Sequence, residues 1–113
     1  MSKSAQVAEG YAKVVAALSA QRGVTVGGKE KKGFGASALR IGDKIFAMVS
    51  SKDVFVVKLP KARVDELVAS GRGRRFDPGH GRIMKEWIEL SLDIKPSWID
   101  YAIEAKKFVS GNE

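Results

Sequence analysis

Apolar residues recur along this chain in two rhythms, and the switch between them marks out its elements. Val7, Tyr11, Val14, Val15 and Leu18 step by four, three, one and three. That is the stripe of an amphipathic helix. Ser4 is placed to cap its start and Gly23 to follow its end. Gly10 sits inside it and costs a helix about 1 kcal/mol relative to alanine, so packing must hold this segment. Residues 23–35, GVTVGGKEKKGFG, carry five glycines and a short charged knot. They read as a loop with a brief extended piece at Val24–Val26.

The rhythm then shortens. Ala36–Ile41, Lys44–Val49 and Val54–Leu59 are three strand-like runs. Gly42-Asp43 offers a two-residue hairpin turn between the first two, and SSKD, residues 50–53, joins the second to the third. Turns this short force antiparallel neighbours. In the third run Val54, Val56 and Lys58 share one face, and Phe55, Val57 and Leu59 the other. Both faces are largely apolar, which predicts a strand inside the sheet with cover on both sides.

Pro60 opens a short helix whose stripe is Val64, Leu67 and Val68 and whose stop is Gly71. Lys85–Leu92 alternates imperfectly, with Ile88, Leu90 and Leu92 against Trp87, Glu89 and Ser91. It reads as a fourth strand with one partly exposed side. Pro96 and Ser97 open a last helix, and Ser97 with Asp100 forms a candidate capping box. Trp98, Ala102, Ala105 and Val109 line its buried face, with Ile99 and Ile103 on the shoulder. Strands grouped together and helices set apart predict an α+β fold. Its sheet holds a three-strand meander plus a later strand, packed with three helices in one domain over residues 1–113.

Composition narrows the partners more than the fold. The apolar fraction of 44% and charged fraction of 29% are those of a globular chain. The net charge of +7 puts polyanions first among candidate partners. The absence of cysteine excludes disulfides, thiolate metal sites and cysteine nucleophiles. One histidine is too few for a His-rich metal centre. No run approaches the ~20 apolar residues of a membrane span. The apolar piece Val14–Ala20 continues an amphipathic helix rather than forming a signal peptide, so the expected location is cytoplasmic.

The residues in these runs also resemble a known family. FGASALRIGDKIFAMVSSKDVFVVKL is similar to the hairpin region of the MmcQ/YjbR-like and TfoX N-terminal-domain superfamily of small bacterial proteins. The matching positions are Gly35, Gly42, Lys44, Phe46 and Ala47. GRIMKEWIEL resembles the entry to that superfamily's last strand through Gly81, Met84, Lys85 and Trp87. The resemblance spans roughly residues 23–109 and agrees with the element order above. It implies a YjbR-like fold, a link to DNA binding, and no set of catalytic residues. The TfoX regulators commonly carry a second, helical domain, for which 113 residues leave no room.

The chemistry concentrates in GRGRRFDPGHGRIMKEW, residues 71–87. Within residues 72–85, Arg72, Arg74, Arg75, Arg82 and Lys85 face a single acid, Asp77. Guanidinium groups hold phosphate with paired hydrogen bonds, and the glycines let backbone approach a ligand. The functional reading is a phosphate-contacting loop between the middle helix and the final strand, which positions a duplex without reading bases. The plainer reading is a solvated connection that keeps the protein soluble. His80 contacts phosphate in the first reading and is an exposed turn histidine in the second; it has no nucleophile beside it. Lys29, Lys31 and Lys32 extend the patch or form an ordinary charged loop. Arg40 and Lys58 join it only if their strand faces agree. Phe76 and Trp87 flank the stretch as core contacts or as stacking surfaces for unpaired bases.

Two expectations for function follow. One is a non-enzymatic nucleic-acid-binding module of low sequence specificity, with duplex DNA as the first partner and no cofactor or metal. The other is a domain that binds an acidic protein or a small anion. The glycine spacings match neither a dinucleotide fingerprint nor a Walker loop.

Overall fold

A computed structural model describes residues 3–26, 38–42, 44–50, 53–76 and 84–111. Helix α1 is Lys3–Leu18, followed by strands β1 (Val24–Val26), β2 (Leu39–Ile41), β3 (Lys44–Val49) and β4 (Phe55–Lys58). Helix α2 (Lys61–Ala69) leads to β5 (Gly73–Phe76) and β6 (Met84–Leu90). A 3-10 segment, Leu92–Ser97, runs into helix α3 (Trp98–Val109). Among the described residues this is a small α+β domain with a six-stranded sheet ordered β1-β2-β3-β4-β6-β5 and three α-helices. Every neighbouring pair of strands is antiparallel. The Cα radius of gyration is 13.0 Å, as expected of a chain this length.

The predicted elements appear with their core faces. Val7, Tyr11, Val14 and Leu18 of α1 are buried, as are Val64 and Leu67 of α2 and Trp98, Ala102 and Ala105 of α3. They meet Leu39, Phe46, Ala47, Phe55, Val57, Ile88 and Leu90 of the sheet in one continuous cluster. All three helices therefore pack on one face of the sheet. A second cluster, Ala38, Met48, Val54, Val56 and Phe76, lies on the opposite face. Among the described residues no helix contributes to it. The third predicted strand run, β4, lies inside the sheet with buried side chains on both faces, as its pattern requires.

Two local signals work as read. The Ile41–Lys44 pairing closes the two-residue link between β2 and β3; Asp43 lies outside the described residues. Gly71 ends α2 at φ +81°, a conformation that glycine adopts without steric cost. Its N–H donates to the Val68 carbonyl and the Arg72 N–H to the Leu67 carbonyl, the paired bonds of a Schellman ending.

Three expectations are corrected. Helix α1 begins at Lys3, so Ser4 lies within its first turn instead of capping it. Ser97 makes no side-chain cap bond. The capping device sits six residues earlier, where the Ser91 hydroxyl accepts from the Asp93 N–H and opens the 3-10 segment. The largest correction concerns the arginine stretch: Gly73–Phe76 is a strand paired with β6 and not part of a loop. Together with β1 it raises the sheet from four expected strands to six.

Gly10 is explained by packing. A Cβ there would lie 2.7 Å from Cζ3 of Trp98 and 2.8 Å from the Lys95 side chain. The lysine stem can swing aside, but Trp98 is fully buried. We expect Gly10→Ala to destabilise the fold by about 1–3 kcal/mol through overpacking, although alanine gains about 1 kcal/mol in helix propensity. Chemical denaturation showing a more stable Gly10→Ala protein would contradict this close approach.

Candidate functional site

The strand geometry of β5 divides the arginines. Side chains alternate across a strand, so Arg74 and Arg75 leave on opposite faces. Arg74 pairs with Glu89, itself opposite Val56 of the second cluster, and so lies on the face away from the helices. Arg75 pairs with Ile88 of the main cluster and lies on the helix side. Arg72 also turns to that side, its Nη1 donating to the Tyr101 hydroxyl at 3.2 Å.

Both strand arginines already have carboxylate partners. Arg74 Nε lies 3.2 Å from Glu89, and Arg75 Nη2 lies 2.6 Å from Asp65 of α2. The Arg74 side chain is still 76% exposed, but a phosphate there must compete with an ion pair. Charge on both faces of β5 also serves the fold. An edge strand offers unpaired backbone groups, and flanking charges discourage its pairing with another sheet. The three described arginines thus do not form a single patch. His80, Arg82, Lys29, Lys31 and Lys32 lie outside the described residues. Lys85 is exposed at the start of β6.

The Asp65 carboxyl is held below its ordinary value of 3.8, first by the bond from Arg75 and then by the bond from Lys61. A carboxylate whose folded pKa is depressed stabilises the fold above its unfolded pKa. That contribution is lost as pH falls through the folded value. Asp65→Asn should therefore unfold at slightly lower urea than the parent at neutral pH, since exposed pairs contribute little. The gap should narrow as pH falls below the ordinary carboxylate range and close once the parent carboxyl is protonated. A gap that persists in acid would show that the pair is not its cause.

A different set of cations comes together at the end of the sheet where β2 and β4 finish and β3 and β6 begin. A groove of about 550 Å³ there is lined by Arg40, Lys44, Lys58, Glu86, Trp87 and Phe108, among others. Arg40 pairs with Ile45 and Lys58 with Trp87. Ile45 and Trp87 both pack on the second cluster, so Arg40 and Lys58 share the face without helices. The Lys58 ammonium lies 5.9 Å from the centroid of the Trp87 indole, within cation–π range. Among the described residues Lys44, Lys58 and Lys85 have no ion pair. Of these Lys44 and Lys58 line the groove together with Arg40, and among the described residues Glu86 is the one carboxylate in its lining.

Part of this site was readable beforehand. The alternation of Val54, Val56 and Lys58 puts Lys58 beside Val56, and that of Trp87 and Glu89 puts the indole on the more exposed side. The face of Arg40 was not readable, because the β2–β3 register shifts between Leu39 and Arg40. Phe76, one of the two candidate stacking residues, is buried, whereas Trp87 is half-buried.

Among the described residues no group of three or more His, Cys, Asp or Glu side chains could hold a metal ion. No described helix is long and apolar enough to cross a membrane. Compared with known proteins, the chain matches no family model, and neither the curated proteins nor the solved structures yield a match.

Proposed function

We propose that this chain is a non-enzymatic nucleic-acid-binding module of low sequence specificity, with its phosphate contacts at the strand-end groove instead of the arginine stretch. The observation that carries the reading is the gathering of Arg40, Lys44 and Lys58 near Trp87 in one groove at the end of the sheet, Arg40 and Lys58 on the face of the second cluster and Lys44 beside them on the edge toward α3. Lys44 and Lys58 carry no carboxylate partner. A phosphate arriving at Lys44 and Lys58 gains charge-assisted hydrogen bonds without first breaking an ion pair of either lysine. At Arg74 and Arg75 it must displace Glu89 and Asp65. Backbone contacts of this kind fix position and carry no base sequence. The MmcQ/YjbR-like resemblance, with its link to DNA binding, points the same way.

Binding through phosphates releases counterions, with a slope of log affinity against log salt near −0.9 per neutralised phosphate on duplex and −0.7 on single strands. Three groove cations predict a slope of roughly −2 to −3. Anisotropy with a labelled oligonucleotide should show that slope. The double variant Lys44→Glu, Lys58→Glu should weaken binding by about tenfold or more and flatten the slope. Arg74→Gln should change little. An affinity that ignores salt, or a lysine variant that binds like the parent, would overturn the reading.

A further inference from the structure

We infer that the occupant of this groove is single-stranded nucleic acid, with one unpaired base laid against Trp87. The inference rests on the nucleic-acid reading above and deepens it. In a duplex the bases are stacked inside and a protein meets mainly phosphates. The rim cations Arg40, Lys44 and Lys58 suit that backbone, but the groove between them has nothing to receive from it. A single strand brings phosphates and base faces together, and sites for it pair basic grooves with aromatic platforms.

The groove has the parts for both. Its volume of about 550 Å³ lies within the range of small-ligand clefts. The Trp87 indole is half-buried and packs on the second cluster, which holds the ring in place. Lys58 sits over that ring at 5.9 Å. An exposed cation–π contact is worth less than stacking of a base on an aromatic. A base can therefore take the lysine's place over the indole and leave the ammonium free for the neighbouring phosphate.

The far wall sets the direction. Phe108 and Val109 line it, at the C-terminal end of α3. Their side chains are apolar and offer a phosphate no hydrogen bond, although Lys106 and Lys107 in the same turn offset the negative end of the helix dipole. The apolar wall of Phe108 and Val109 suits the base, and Lys44 and Lys58 on the strand side suit the phosphates.

The test uses the intact chain and four probes: oligothymidine, a duplex of the same phosphate count, inorganic polyphosphate and thymidine monophosphate. Trp98 is fully buried, so quenching of tryptophan emission reports Trp87, and this arm needs no variant. Oligothymidine should quench the emission and bind about tenfold or more tighter than either the duplex or polyphosphate. Trp87→Leu should lower oligothymidine affinity by about tenfold while polyphosphate affinity stays unchanged. Equal binding of single strand, duplex and polyphosphate without quenching would overturn the single-strand inference and leave the phosphate-binding reading standing. Thymidine monophosphate binding as tightly as the oligomer would replace the strand with a free nucleotide. No binding to any probe would overturn both readings.

Discussion

Trp98→Ala is expected to cost about 3–5 kcal/mol of folding stability, a large part of the about 5–15 kcal/mol a small domain has. The position concentrates several packing terms. The indole is fully buried and stacks on Phe55 with centroids 4.5 Å apart. Phe55 in turn meets Tyr11 at 5.7 Å, so α3, β4 and α1 converge on one aromatic row. Glycine at position 10 leaves room for the ring from the α1 side. The indole N–H donates to the Ser91 carbonyl at 3.1 Å and ties α3 to the end of β6. Alanine would empty this junction, and three separate elements cannot all collapse into the cavity. Urea denaturation should show a lower midpoint with an unchanged slope. A loss below about 1 kcal/mol would mean that the site relaxes freely and that Trp98 is not the pivot between helices and sheet.

The second large effect is expected at Gly73→Ala. Glycine in a strand is ordinarily a weakness of about 0.5–1 kcal/mol relative to alanine, so a generic substitution would stabilise. Here β5 runs so close to β6 that a Cβ on Gly73 would press into the Glu89 carbonyl oxygen. It would also approach Cδ1 of Ile88 at 3.2 Å. The Ile88 side chain can turn away, but a backbone carbonyl in a paired strand cannot. The strands must part, and overpacking of this kind costs about 1–3 kcal/mol or more. The damage should be local, with faster amide hydrogen exchange across β5 and β6 than in α1 and α3. A variant more stable than the parent, with exchange in the hairpin unchanged, would contradict the close approach.

These two residues also show what was legible beforehand. Trp98 belonged to a stripe with period 3.6, and such stripes located all three helices and their buried faces. Period-two alternation likewise located β3, β4 and β6. Strand β5 was missed because its pattern is Gly-Arg-Arg-Phe, with two charges at its centre. A charged edge strand has no alternation to read; it forms because β6 supplies a partner, which is a tertiary cause. The same strand also separates two of the candidate arginines. Arginines adjacent in sequence look like a patch in a loop, but a strand sends neighbours to opposite faces. Conversely, Arg40, Lys44, Lys58 and Trp87 are dispersed along the chain, and only the pairing of strands brings them to one groove. Clustering in sequence thus did not foretell that Lys44 and Lys58, among the described residues, stand without a carboxylate partner.

The most direct measurement of the central claim is a set of amide chemical-shift changes in the isotope-labelled chain as oligothymidine is added. The largest changes should fall at Arg40, Lys44, Lys58 and Lys85–Trp87, around the groove, with α2 and the edge of β5 nearly silent. Changes centred on Arg72–Arg75 and α2 with the groove silent, or no changes at any site, would contradict it.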